Sequence, residues 1–273
     1  MKRRKSNLTR MPSLLRTLSA PRAMSASRCD LATSHGNARA SRASRARHRA
    51  RAASSDGPGR YDSQKRNRLS WMPRLLANDS RKHRTADVER WQRQVQERIA
   101  SDETVRFGER CFVGHGVEIF AEPGRDVVVA DDVAIAAECF IHGPCAFGAN
   151  VSVNARCHIE GGAVGVTIGR DTRIGPGFSA FAFNHVFDDP NAPIREQGVT
   201  SEGITIGEDV WIGANVSVTD GVDIGSHSVI GIGSVVTRDV EPWAVVAGNP
   251  ARVIRYRQRP KAPTQPRPTD AFS

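Results

Sequence analysis

Residues 206–250 read ITIGEDVWIGANVSVTDGVDIGSHSVIGIGSVVTRDVEPWAVVAGNP. Taken in sixes, the stretch puts Ile206, Ile212, Val218, Ile224, Ile230 and Val236 at one recurring place. Glycine follows four of these six, at Gly207, Gly213, Gly225 and Gly231. Two places before each next aliphatic stand Val210, Val216, Val222, Ser228 and Ser234. A period of six is neither the 3.6 of a helix nor the 2 of a simple strand. It describes a short strand and a corner, repeated, and repetition of that unit builds a solenoid.

The fifth place of one unit and the first of the next are two residues apart, so both side chains point inward from one strand. Places two to four must then turn the chain. The fourth holds Asp209, Asn215, Gly221, Gly233 and Asp239, residue types that tolerate left-handed backbone or bond their own turn. Three units close an 18-residue triangular coil, and successive coils pair as parallel strands about 4.8 Å apart.

Working outward, the same register starts at Phe107, Val113 and Ile119 and, after four extra residues, resumes at Val129, Ile135, Ile141, Phe147, Val153 and Ile159. Three more residues intervene before Ile168, Ile174 and Ala180. That makes 18 units, 15 of them opened by Ile or Val, hence about six coils. Residues 181–205 break the period, with FAFNHVFDDPNAPIREQGVTSEG at 181–203. A long excursion from a rigid scaffold is where function concentrates.

The expected organisation is a basic, disordered extension over 1–78 and an amphipathic capping helix within 79–103. A parallel β-helix follows over 104–242, with a protruding loop at 181–205. A C-terminal cap spans 243–258, and a disordered tail spans 259–273. In the helix, Val88, Trp91, Val95 and Ile99 share a stripe and Thr85 is placed as N-cap. Residues 1–60 carry 15 Lys and Arg against Asp30 and Asp56, a net of +13, so with the chain at +10 the remaining residues come to −3. The basic character belongs to the head, which reads as a tail, a nucleic-acid or membrane arm, a transit segment, or translated sequence before a start at Met72. Cys111, Cys139, Cys145 and Cys157 all fall on the inward fifth place. Without a CxxC pair they read as buried thiols in a reducing, cytoplasmic setting. No apolar run reaches the roughly 18–20 residues of a membrane span.

The repeat resembles the hexapeptide-repeat acyltransferases, closest to the maltose, galactoside, nodulation-type and polysaccharide O-acetyltransferases. The resemblance covers about residues 105–256. It implies an all-β, left-handed parallel β-helix, although parallel crossovers in general favour the right hand. It also implies a homotrimer that uses acetyl-CoA to acetylate a hydroxyl of a sugar or polysaccharide precursor, with no metal. In this family a His opening the protruding loop is the general base, which is His185 in Asn184-His185. Asp188, Asp189, Glu196, Glu202 or a backbone carbonyl could orient its ring. The donor groove, between subunits, maps onto Trp211, Gly213, Ala214, Gly231, Ile232, Thr237, Arg238 and Arg252. The acceptor contacts map onto Asn154 and Glu160. Taken as residues alone, His185 could be a loop-bonding imidazole, Trp211 a surface aromatic and Asn154 a turn residue.

Other functions share the architecture. An N-acetyltransferase of an antibiotic or amino sugar is one. A zinc lyase of the γ-carbonic-anhydrase type is another, but no two of His115, His142, His158, His185 and His227 have the HxxxxH spacing it needs. A non-catalytic scaffold using the basic head for nucleic acid is a third.

Overall fold

The computed structural model describes residues 60–78 and 80–258. The expectations for 1–59 and 259–273 fall outside these residues. Three parallel sheets form the flat sides of a six-coil prism. The first sheet takes β1 (Val105–Phe107), β4 (Val127–Val129), β7 (Cys145–Phe147), β10 (Val166–Ile168), β15 (Ile204–Ile206) and β18 (Asp223–Ile224). The second takes β2 (Phe112–Val113), β5 (Ala134–Ile135), β8 (Ser152–Val153), β11 (Arg173–Ile174), β16 (Trp211–Ile212) and β19 (Val229–Ile230). The third takes β3 (Glu118–Phe120), β6 (Phe140–His142), β9 (His158–Glu160), β12 (Ser179–Phe181), β17 (Ser217–Val218) and β20 (Val235–Val236). The partners Cys145 and Val127 are one 18-residue coil apart, whereas Val166 and Ile204 are paired across the long excursion.

Each inward place is filled as the period requires. Val210, Val216 and Val222 are buried, as are Ser228 and Ser234. The corners use left-handed backbone at the fourth place, in Asp209, Asn215, Gly221 and Gly233 as expected, and also in Arg110, Asp132, Asn150 and His227. Asp239 is not among the left-handed residues. Its carboxylate instead accepts the Asp223 amide at 2.9 Å.

Cys111, Cys139, Cys145 and Cys157 are free and buried. Burial pushes the Cys145 thiol up to about 12, because a thiolate there would lose its hydration. These four thiols should label with a disulfide reagent at pH 8 only after denaturant is added, as peptide mapping would show. Prompt labelling of Cys145 in the native protein would contradict the packing. A raised folded-state pKa also sets a sign: Cys145 costs no stability below about pH 9, and stability falls as pH rises from there toward 12.

Residues 60–78, expected to be disordered, are helical: α1 (Arg60–Trp71) and α2 (Arg74–Asn78). Leu69 and Leu76 pack with Val88, Trp91 and Phe112 in a small second core. Next come α3 (Ser80–His83) and α4 (Ala86–Asp102), whose Val88, Trp91 and Ile99 are buried, with Val95 packed against them. Thr85 stands at the N-cap position of α4, without a side-chain cap bond. The helix closes the first coil with side-chain amides. Gln92 Nε2 donates to the Val113 carbonyl at 3.0 Å while its Oε1 accepts the Val113 amide at 2.7 Å. Gln96 Nε2 donates to the Cys111 carbonyl at 2.9 Å. An amide side chain thus serves as the missing strand neighbour for backbone groups of Cys111 and Val113.

At the other end β21 (Ala244–Ala247) joins the second sheet beside β19, and β22 (Arg252–Tyr256) folds back antiparallel onto it. This hairpin lies within residues 243–258.

Candidate active site

The excursion after β12 is an ordered hairpin. β13 (Asn184–His185) pairs antiparallel with β14 (Val199–Thr200), His185 opposite Val199, and α5 (Ile194–Gln197) lies between them. Ser201 pins its base. Its hydroxyl donates to the Ala182 carbonyl at 2.6 Å and accepts the Ala163 and Val164 amides. Gln197 braces the tip, donating to the Asp189 and Ala192 carbonyls and accepting the Asp189 amide.

His185 is exposed, with the Phe183 ring edge-on at a centroid distance of 5.9 Å. Its ring nitrogens meet no hydrogen-bond partner among the described residues. Three of the four carboxylates that could have oriented it are placed otherwise. Asp189 accepts the Asn191 amide, and Glu196 pairs with Arg195. Glu202 lies against Gly221, at the next coil's corner.

On the third sheet's outer face, rings follow one another toward the hairpin: Phe120, Phe140, His158, Phe181, Phe183, His185. Glu160 sits beside this row with both oxygens engaged. Oε2 meets His142 Nδ1 at 3.0 Å and Oε1 meets His158 Nε2 at 3.2 Å. His142 and Glu160 are 18 residues apart, so one coil of stacking makes them neighbours. This network escaped the sequence reading, which applied the coil only to inward places.

The mapped donor residues follow the coil corners. Trp211 is 61% exposed on the outer face of β16, and Ile232 is 73% exposed at the next coil's corner. A Cβ on Gly213 would lie 2.6 Å from the Ile232 nitrogen, so this glycine is required for close stacking. The Gly213 and Gly231 amides already donate to Ile230 and Val246. The Gly231 carbonyl also accepts the Ser234 hydroxyl, at 2.6 Å. Ala214 lies between Gly213 and the left-handed Asn215. Thr237 and Arg238 are exposed just after β20, and Arg252 opens β22. Neither Arg238 nor Arg252 has an ion-pair partner among the described residues; Arg252 Nη1 donates to the Ala251 carbonyl.

Asn154 is exposed at the corner entering the third sheet, and its Oδ1 accepts the Ala155 amide at 3.0 Å. It shares a groove of about 550 Å³ with Trp211. Glu160 stands at the opposite end of β9, so the two mapped acceptor residues do not share a surface in one chain. Nor does one chain unite Trp211, on the second sheet, with His185, on the hairpin beyond the far end of the third. Among the described residues no helix is long and apolar enough to cross a membrane, and no group of three or more His, Cys, Asp or Glu is placed to hold a metal ion.

A family model described as bacterial transferase hexapeptide (six repeats) matches residues 203–238. WbbJ of Escherichia coli (strain K12), whose name places it in lipopolysaccharide biosynthesis as an O-acetyl transferase, is 32% identical over 164 residues, 58% of this chain and 74% of that protein. Galactoside O-acetyltransferase of the same organism is 38% identical over 139 residues, 50% of this chain and 64% of that protein. Among solved structures, a variant of AntD, an N-acyltransferase from Bacillus cereus, superimposes with a TM-score of 0.53 at 22% identity, covering 60% of this chain and 89% of that one. The chain belongs to the hexapeptide-repeat transferase family. It spans only 50–64% of the length of the first curated relatives it matches.

Proposed function

We propose that the protein is an acetyl-CoA-dependent O-acetyltransferase acting on a hydroxyl of a sugar or polysaccharide precursor. The observation that carries this reading is His185, an exposed imidazole without a protein partner, held at the base of an ordered hairpin. The names of two relatives, one a galactoside O-acetyltransferase and one an O-acetyl transferase of lipopolysaccharide biosynthesis, support it. The residues mapped to the donor suit it. Trp211 and Ile232 present apolar surface, and Arg238 and Arg252 offer guanidinium groups without an ion-pair partner among the described residues.

Acetyl-CoA supplies the acetyl group as a thioester. His185 takes the proton of the acceptor hydroxyl as its oxygen attacks, and returns it to the departing sulfur. Because Trp211 and His185 lie on different sides of one chain, the reading includes a homotrimer in which the hairpin of one copy meets the groove of the next. A cytoplasmic setting is also part of it, supported by the four free buried thiols.

Trp211→Ala should raise the KM for acetyl-CoA about tenfold through lost apolar contact. Arg252→Ala should raise that KM more than it lowers kcat. Steady-state thiol release checks both, and an unchanged KM removes the residue from the donor site. The reading as a whole is tested by acceptor-dependent thiol release from acetyl-CoA across nucleotide sugars, free sugars and antibiotics. Turnover confined to antibiotics would replace the glycan acceptor.

A further inference from the structure

The groove beside Trp211 has one wall made by the segment expected to be disordered. Trp71 and Arg74 line that side, and Asn154, Arg173 and Trp211 line the other. The wall is fixed in place. Leu69 and Ser70 next to it are buried. The Ser70 carbonyl accepts the Ala137 amide at 2.7 Å, and its hydroxyl accepts the His115 amide at 3.2 Å. The Arg156 guanidinium lies over the Trp71 ring at 4.9 Å. Helix α1 is thereby tied to the corners of the first two coils, and the turn at Pro73 carries the chain along the groove.

The lining chemistry is one-sided. It holds two indoles and two guanidiniums and no carboxylate. Arg173 Nη1 reaches only the Ser152 hydroxyl, at 3.4 Å, and neither Arg74 nor Arg173 has an ion-pair partner among the described residues. An indole face accepts the C–H face of a pyranose, while its hydroxyls need donors and acceptors at the rim. Asn154 supplies such a donor, since its Oδ1 is engaged by Ala155 and its Nδ2 is not. A guanidinium without an acidic partner is matched by a carboxylate or phosphate, which it grips with two parallel N–H groups.

We propose that this groove is the acceptor subsite and that it selects an anionic pyranoside. The sugar ring lies on Trp71 and its carboxylate or phosphate on Arg74 and Arg173. Trp211 marks the end at which the acetyl group arrives. The proposal rests on the acetyl-transfer reading and adds the acceptor class and the residues that choose it.

The test uses the full chain with acetyl-CoA and matched acceptors: p-nitrophenyl β-D-glucuronide against the β-D-glucoside, the same pair in the galacto series, and glucose 6-phosphate against glucose. At least one anionic member should exceed its neutral counterpart roughly 10- to 100-fold in kcat/KM, the range of a charge-assisted pairing. The uronides and the sugar phosphate separate carboxylate from phosphate as the anion. Arg74→Ala with Arg173→Ala should bring that ratio close to one while the KM for acetyl-CoA moves less than about twofold. Both arginines are exposed, so the fold does not depend on them. Turnover of neutral members only, or a preference that survives the double variant, overturns the anionic class and leaves acetyl transfer standing. A rise in the acetyl-CoA KM alone overturns it by assigning the arginines to the donor. Absence of thiol release with every member also overturns it, and failure of acetyl-CoA to bind in the same samples then removes the acetyl-transfer reading as well.

Discussion

His185→Ala is expected to lower acceptor-dependent kcat/KM by about 10²- to 10⁴-fold, the range contributed by a positioned general base. It should do so without disturbing the fold. The residue lies in a two-residue strand pairing on an exposed hairpin, outside the three sheets, and its only ring contact among the described residues is the Phe183 edge. The KM for acetyl-CoA should change little, because the residues mapped to the donor lie on other corners. Steady-state kinetics of thiol release, with circular dichroism as the control for folding, decides the matter. A variant within about threefold of wild type would strike His185 from the chemistry, since a general base contributes far more than that. The proposal would then need another base, and Asp188 on the same hairpin would be examined first.

The second large effect is on stability. Phe147 is among the largest fully buried side chains, 2% exposed, on β7 between Val129 and Ile168 of the adjoining coils. Phe147→Ala removes an aromatic ring from the middle of the stack. The parallel ladder above and below holds the coils at fixed spacing, so the void cannot close by collapse. The expected cost is about 3–5 kcal/mol, a fall in Tm of roughly 6–20 °C for a domain of this size. Thermal unfolding and denaturant titration give the number. A loss below about 1 kcal/mol would mean that the prism adjusts far more than its ladder allows.

Much of this architecture is legible in the sequence. The six-residue period depends only on which places face inward, and burial of apolar side chains is a local, repeated demand. It therefore gave the coils, their number, the left-handed corners and the four inward cysteines. What it missed has one physical origin: partners distant in sequence. Leu69 and Leu76 lie near an arginine-rich head, and their burial depends on Trp91 and Phe112. Gln92 and Gln96 read as ordinary polar helix residues until the strand edge they complete is seen. The Glu160 network was recoverable in principle, because its members lie one coil apart. Asn154 and Trp211 were expected at different parts of a site and share one groove, whereas Asn154 and Glu160 were expected together and are apart.

The glutamine seal over the first coil and the hairpin folded onto the last have a bearing on how copies of this chain can meet. A stack of parallel strands is by nature extendable, each rim offering a template for another molecule to continue the column. Here the second sheet is finished at both rims, by side-chain amides at one and a reversed strand at the other. Growth along the axis into a filament is thereby discouraged on that side, and association is steered to the flanks, where the histidine hairpin and the tryptophan groove both lie.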